Sequence, residues 1–280
     1  MSFPEERLDR ALQLGDEGNW EGMAEHLREM LEEYPQDAVV LCWLGVAERE
    51  LGMDGVAYER FKASVSAKPV DAYVLAIAGT GLARFDDPEA EAVLRTATLI
   101  DPHLTYARTM YGGHLAREGL LDDALKELEA AVSMEPDDPD VLTELGVALA
   151  LAGSVDEAVD AFYGACSADP RDGWARALAG LSLVSLGRIK DAFGDLLSAA
   201  DLRPEDVEIA LLAALAAAAC DDPDRAYELI ERARINAIAG DLVIVEAVTD
   251  RVDDGREASE EFLTEELVLS ALRERLMARP

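Results

Sequence analysis

The chain has 280 residues, 50% of them hydrophobic and 30% charged, with 58 acidic against 25 basic side chains and a formal net charge of −33. That much apolar material can build a core, so the charge does not signal disorder. The acid excess repels phosphate backbones and anionic lipid, which argues against nucleic acid and membranes as direct partners.

In chain order, residues 1–10 carry acids where a secretory leader would carry Lys or Arg ahead of a long apolar stretch. They therefore read as mature structure with a cytoplasmic address. Cys42, Cys166 and Cys220 lie more than 50 residues apart in no CxxC spacing. They read as small buried hydrophobes in a reducing compartment. The longest apolar run, Ile209 to Cys220, has 12 residues, short of the roughly 18 a membrane-spanning helix needs.

A repeat organises the rest. Pro35 and Pro69 are 34 apart, Pro102 follows after 33, and Pro136, Pro170 and Pro204 follow at 34-residue steps. With each Pro set as position 32 of a unit, Gly falls at position 8 (Gly45, Gly79, Gly112, Gly146, Gly180) and at position 15 (Gly18, Gly52, Gly119, Gly153, Gly187). Position 20 is Ala from Ala57 to Ala226, and position 24 is Leu, Phe or Ile, as in Phe61, Leu94 and Phe162. The pattern predicts two antiparallel helices per unit. Small residues at 8 and 20 let the helices approach, Gly at 15 supplies the positive φ that ends the first, and Pro at 32 stops the second.

The stretch from Asp140 to Pro170, DVLTELGVALALAGSVDEAVDAFYGACSADP, resembles the tetratricopeptide repeat, with Leu-Gly at 7 and 8, Ala at 20, an aromatic at 24 and Pro at 32. The resemblance implies an all-α, right-handed superhelical solenoid of antiparallel helix pairs. Seven units are expected at 4–37, 38–71, 72–104, 105–138, 139–172, 173–206 and 207–240. The third is one residue short, and the seventh has Ile238 where Pro belongs. Residues 241–280 are expected to form a degenerate eighth unit and a capping helix after Gly255, with Leu263, Leu267 and Ala271 in one row and Val268, Leu272 and Leu276 in another. A helix folding into the chain's own groove is the alternative.

In this family the first helices line the concave surface, mainly through positions 2, 5, 6, 9, 12 and 13. Carried over, these select Trp43, Val46 and Arg49 in the second unit and Tyr73, Ile77, Thr80 and Arg84 in the third. The fourth contributes Tyr106, Met110 and Arg117, and the sixth Trp174 and Leu178. The set is apolar for a solvent-facing surface and rich in residue types that carry binding energy. The competing reading packs the position-6 residues between neighbouring first helices, and burial is favoured for the Leu positions of units six and seven. Arg49, Arg84 and Arg117 form a row of cations, which suggests a partner with apolar and acidic groups, unless acids such as Glu48 and Glu50 neutralise it internally.

Catalysis is not expected. His26, His103 and His114 have no ligand-spaced neighbour. The paired acids Asp122-Asp123, Asp137-Asp138, Asp221-Asp222 and Asp253-Asp254 read as N-caps in turns and at helix starts, where they complement the helix dipole. Residues 250–255 lack the order of a calcium loop. Neither metal nor cofactor is expected. The function that follows is a non-catalytic adaptor binding a peptide or helical segment of a partner protein in its groove; the alternative is a structural protein that self-associates through terminal or convex surfaces.

The charge is unevenly placed. Residues 1–37 carry −8 and residues 241–280 carry −6, and only 4 of the bases are Lys. This acid excess resembles that of salt-adapted proteins. If self-repulsion across it limits stability, Tm should climb steeply from low salt to molar KCl, because screening relieves the repulsion. A Tm flat with salt in thermal melts would count against this.

Overall fold

In the computed structural model, which describes residues 5–278, every element is helical and no strand occurs among the described residues. The start of the first expected unit at residue 4 and the end of the cap at 280 lie outside that range. Packing divides the chain into two compact units, one reaching Leu115 and one running from Ala116 to Ala278.

The first unit contains α1 (Glu5–Asp16) and α2 (Trp20–Glu33), α3 (Ala38–Glu50) and α4 (Asp54–Ser66), α5 (Ala72–Ala83) and α6 (Ala90–Ile100), and most of α7 (Thr105–Arg117). The second contains α8 (Leu121–Met134), then the pairs α9 (Pro139–Leu151) with α10 (Val155–Ala168), α11 (Gly173–Ser185) with α12 (Ile189–Leu202), and α13 (Val207–Ala219) with α14 (Pro223–Asn236). There follow α15 (Leu242–Asp253), α16 (Arg256–Glu261), a π-helical turn over Phe262–Leu267 and α17 (Val268–Met277).

Within a pair, a large side chain at position 24 is pressed into the backbone of the first helix. A Cβ placed at Gly146 would lie 2.5 Å from the Phe162 ring, and one at Gly180 would lie 2.9 Å from Leu196. Phe61 is gripped on two sides, since a Cβ at Gly45 would be 2.8 Å from its ring and one at Gly81 of the next pair 2.4 Å. Phe61 and Phe162 are fully buried, each contributing about 2–3 kcal/mol of hydrophobic stabilisation.

The turns follow the same 34-residue phase. Gly18, Gly52, Gly119, Gly153 and Gly187 all have φ between 72° and 85°. In the two units without Gly at this place, Asp86 (φ 53°) and Asp221 (φ 63°) adopt the left-handed conformation instead, which Asp tolerates better than most residues. Between pairs, Asp37, Asp71, Asp138, Asp172 and Asp206 cap α3, α5, α9, α11 and α13 by accepting backbone N–H bonds, worth about 1 kcal/mol each. Where Pro is replaced by Ile238, the Ile238 N–H donates to Asp241 Oδ2 at 3.0 Å and holds the turn. Asp222 caps α14, but Asp253 and Asp254 end α15 rather than start a helix, which corrects their reading as an N-terminal cap.

The segment after α14 does two things. Helix α15 packs on α13 and α14, and α16 packs on α13, so together they cover the end of the last pair. The π-helical turn then interrupts the helix expected to run on from Gly255, and α17 packs on α11 and touches α9. Leu263, Val268, Ala271, Leu272 and Leu276 are buried as the two rows require, while Leu267, inside the turn, is only half-buried.

A Cβ at Gly153 would meet no atom within 4 Å, so Gly153→Ala tests the turn conformation alone. It should destabilise by about 1–2 kcal/mol in urea melts with an unchanged helical signal. No loss of stability would contradict the left-handed turn.

Candidate partner-binding surfaces

In the first unit, three consecutive first helices each contribute one ring to a row. Trp43 on α3 and Tyr73 on α5 have centroids 6.2 Å apart, and Tyr73 and Tyr106 on α7 are 5.1 Å apart with planes tilted by 53°. Tyr73 is 41% exposed, and the flanking rings are half-buried. Burial, then the neighbouring Tyr73, pushes the Tyr106 hydroxyl up to about 12, so it stays a neutral donor and acceptor. Beneath the row, burial pushes the Cys42 thiol well above its ordinary value, and it donates to the Val74 carbonyl at 3.5 Å. This is the setting of a packing residue, not of a nucleophile.

Other members of the expected groove lie beneath this surface. Val46, Ile77, Thr80 and Met110 are buried, and Leu178 has no exposed area at all. Val46 and Ile77 belong to one buried cluster and Leu178 to another. The physical reason is the short distance between first helices that small residues permit, which draws side chains at positions 6 and 9 inward. Leu178, for which burial is the favoured reading of the sequence, is a core residue and does not line the groove.

The row of arginines does not form a free cationic stripe. Arg49 donates through Nε and Nη2 to Glu50 Oε1 at 3.1 and 2.9 Å. Arg117 makes a bidentate pair with Glu144 at 2.6 and 3.0 Å, with both side chains less than 10% exposed, and its Nε donates to the Ala278 carbonyl at 2.8 Å. Arg84, exposed at the end of α5, has no ion-pair partner among the described residues. Glu48 does not serve Arg49; its carboxylate, 1% exposed, is held between Arg28 on α2 at 2.9 Å and Arg60 on α4 at 3.1 Å.

In the second unit, Trp174 on α11 is already covered. The guanidinium carbons of Arg203 and Arg275 lie 5.6 and 5.7 Å from its ring centroid. Arg275, on α17, also donates from Nη2 to both oxygens of Asp206 at 3.1 and 3.0 Å and from Nη1 to Glu208 Oε2. Sequence reasoning passed over Arg275, Asp206 and Glu208. The available signal was spacing: Arg275 falls on the apolar face formed by Val268, Ala271, Leu272 and Leu276, whereas Arg273 does not.

Among the described residues no group of three metal-ligating side chains comes together, and no helix is long and apolar enough to cross a membrane. His26 Nε2 lies 3.0 Å from the Arg7 carbonyl, and His114 is buried. The three cysteines are unbridged.

These units define an all-α repeat protein of stacked antiparallel helix pairs. The tetratricopeptide repeat model matches residues 112–173. No curated protein matches it. Among solved structures it is similar to a chain of the APC/C hetero-tetramer Cut9-Hcn1, with a TM-score of 0.70 at 17% identity, over 86% of this chain and 48% of that one. It thus spans about half the length of that relative. A tetratricopeptide repeat protein from Parabacteroides merdae aligns over 91% of this chain and 98% of its own, with a TM-score of 0.62 at 15% identity. PilW, a type IV pilus biogenesis factor, aligns over 70% of this chain and 92% of its own, with a TM-score of 0.60 at 21% identity. At these identities the likeness is one of fold.

The Arg117–Glu144 pair makes a sharp test of whether this cation is structural. Arg117→Met should cost about 3–5 kcal/mol by stranding a buried carboxylate, and Arg117→Met with Glu144→Met should recover most of that loss. Additive losses in denaturant melts would show that the two side chains act independently.

Proposed function

We propose that the chain is a non-catalytic adaptor that binds a peptide or helical segment of a partner protein on the first-helix face of its first unit. In this reading residues 1–240 provide the seven repeats, and residues 241–280 provide the eighth, degenerate unit and the cap. The observation that carries it is the ring row Trp43–Tyr73–Tyr106, with its central ring exposed. Aromatic side chains bury large areas at low entropic cost, so a row of them on a concave repeat surface favours an apolar segment. Arg84, exposed at the C-terminal end of α5, favours an acidic group on that segment. The net charge of −33 supports protein over nucleic acid or membrane as the partner. Unbridged cysteines suit a cytoplasmic setting.

Peptides selected from a random display library on the intact chain provide the test. Trp43→Ala with Tyr106→Ala should weaken their binding by at least about 30-fold, the scale of a hot-spot loss, with circular dichroism unchanged. Selected peptides that bind the double variant undiminished would place recognition elsewhere. A partner-free chain sedimenting as a discrete oligomer would favour self-association.

A further inference from the structure

The end of the repeat stack is covered by α15 and α16, which pack on α13 and α14. Helix α17 is therefore not needed as an end cap. It turns back across α11 and α9, the inner helices of their pairs. We propose that the first-helix face of α9, α11 and α13 is a second binding site, specific for an arginine-bearing amphipathic helix of a partner protein, and that α17 occupies it in cis until such a helix displaces it. This rests on the reading of the protein as an adaptor.

Helix α17 shows what the face accepts. Val268, Ala271, Leu272, Arg275 and Leu276 are its buried residues, so the side turned inward is one apolar stripe with a single guanidinium in it. The receptor for that guanidinium belongs to the repeats. Trp174 offers its ring face at 5.7 Å, Asp206 takes both bonds of Nη2, and Glu208 takes Nη1. Asp206 is held in place independently of α17, because it caps α13 by accepting from the Ile209 N–H at 3.0 Å. A planar cation stacked on an indole and forked by carboxylates is recognition suited to Arg and poorly met by Lys.

Charge across this face has the matching sign. Partial burial, then the carboxylates of Asp138, Asp172, Glu144 and Asp169, pushes the Asp140 carboxyl above its ordinary range. Like charges crowd there, and a basic ligand relieves them.

The cis occupant is also imperfectly seated. Arg275 Nε is buried without a hydrogen-bond partner, Leu269 is 63% exposed, and the π-helical turn over Phe262–Leu267 separates α17 from the capping helices. A helix of better fit in trans has room to compete.

The test uses the intact chain and a fluorescein-labelled peptide of residues 265–278, with binding read by anisotropy. Wild-type chain should bind the peptide weakly, because its own α17 competes. Arg275→Gln in the chain loosens α17 and leaves the face intact, so affinity should rise at least 10-fold. Adding Glu208→Gln or Trp174→Ala to that variant should abolish the gain. A peptide carrying Arg275→Gln should bind at least 10-fold more weakly than the parent. Equal binding by Arg275→Gln and wild-type chains, or by the two peptides, overturns the proposal. So does a doubled mass of Arg275→Gln in sedimentation, which would make a second copy the occupant.

Should Arg275→Gln fail to fold, hydrogen exchange of the wild-type chain decides instead. Amides of α17 should exchange well before those of α13, and exchange of both only together overturns the idea. The peptide reports on the second unit alone, so failure here leaves the ring row of the first unit standing, and the reverse holds as well.

Discussion

In the helix pairs with Gly at position 8, the bare backbone there lies directly against a large side chain at position 24. Gly146 under Phe162, Gly180 under Leu196 and Gly45 under Phe61 are three copies of one steric fact, with the space a Cβ needs already taken by the partner helix. Ridge-into-groove packing at this range places the two helices so closely that their short turn requires a left-handed residue. Position 15 accordingly has φ near +72 to +85° where it is Gly, and Asp86 and Asp221 take that conformation where it is not. A fixed pair geometry then repeats, and the capping Asp and following first helix fall into place at each junction.

The same closeness decides what the inner surface can offer. Small residues between neighbouring first helices draw Val46, Ile77, Thr80 and Met110 into the interior, leaving only side chains too large to be swallowed. Rings meet that condition, which is why the first unit presents Trp43, Tyr73 and Tyr106 as a contiguous row. In the second unit the corresponding ring, Trp174, is stacked under two guanidinium groups, one of them delivered from a helix about a hundred positions further along the chain.

Charge placement follows from burial rather than from sequence neighbourhood. A carboxylate with almost no solvent must be paired. Glu48 and Glu144 are such carboxylates, and they claim Arg28, Arg60 and Arg117. What looked along the sequence like a ligand-seeking row of cations is mostly internal neutralisation, with Arg84 left at the surface. The acid excess of the second unit is met in part by Arg275, which gives that inner face a preference for basic groups, opposite to the acidic one inferred from the arginine row.

Local chemistry was legible from the amino-acid sequence. Helix pairs, their turns at Gly and Asp, their stops at Pro, and the buried identity of positions 8, 20 and 24 all depend on interactions within about 34 residues, which the repeat states several times over. The ring row, with Tyr73 exposed and its neighbours half-buried, was also legible, since a bulky side chain at an inward-facing position has few places to go. The acids that Arg117 and Arg275 pair with, and whether the last helix caps the stack or runs back over α11, were not. These depend on distances between residues far apart in the chain, such as Arg275 and Asp206 or Arg117 and Ala278. A periodic pattern says that an apolar stripe must be covered and that a cation must find an anion. Only the folded chain decides which stripe and which anion, because proximity in space is set by the sum of many small helix rotations that no single repeat encodes.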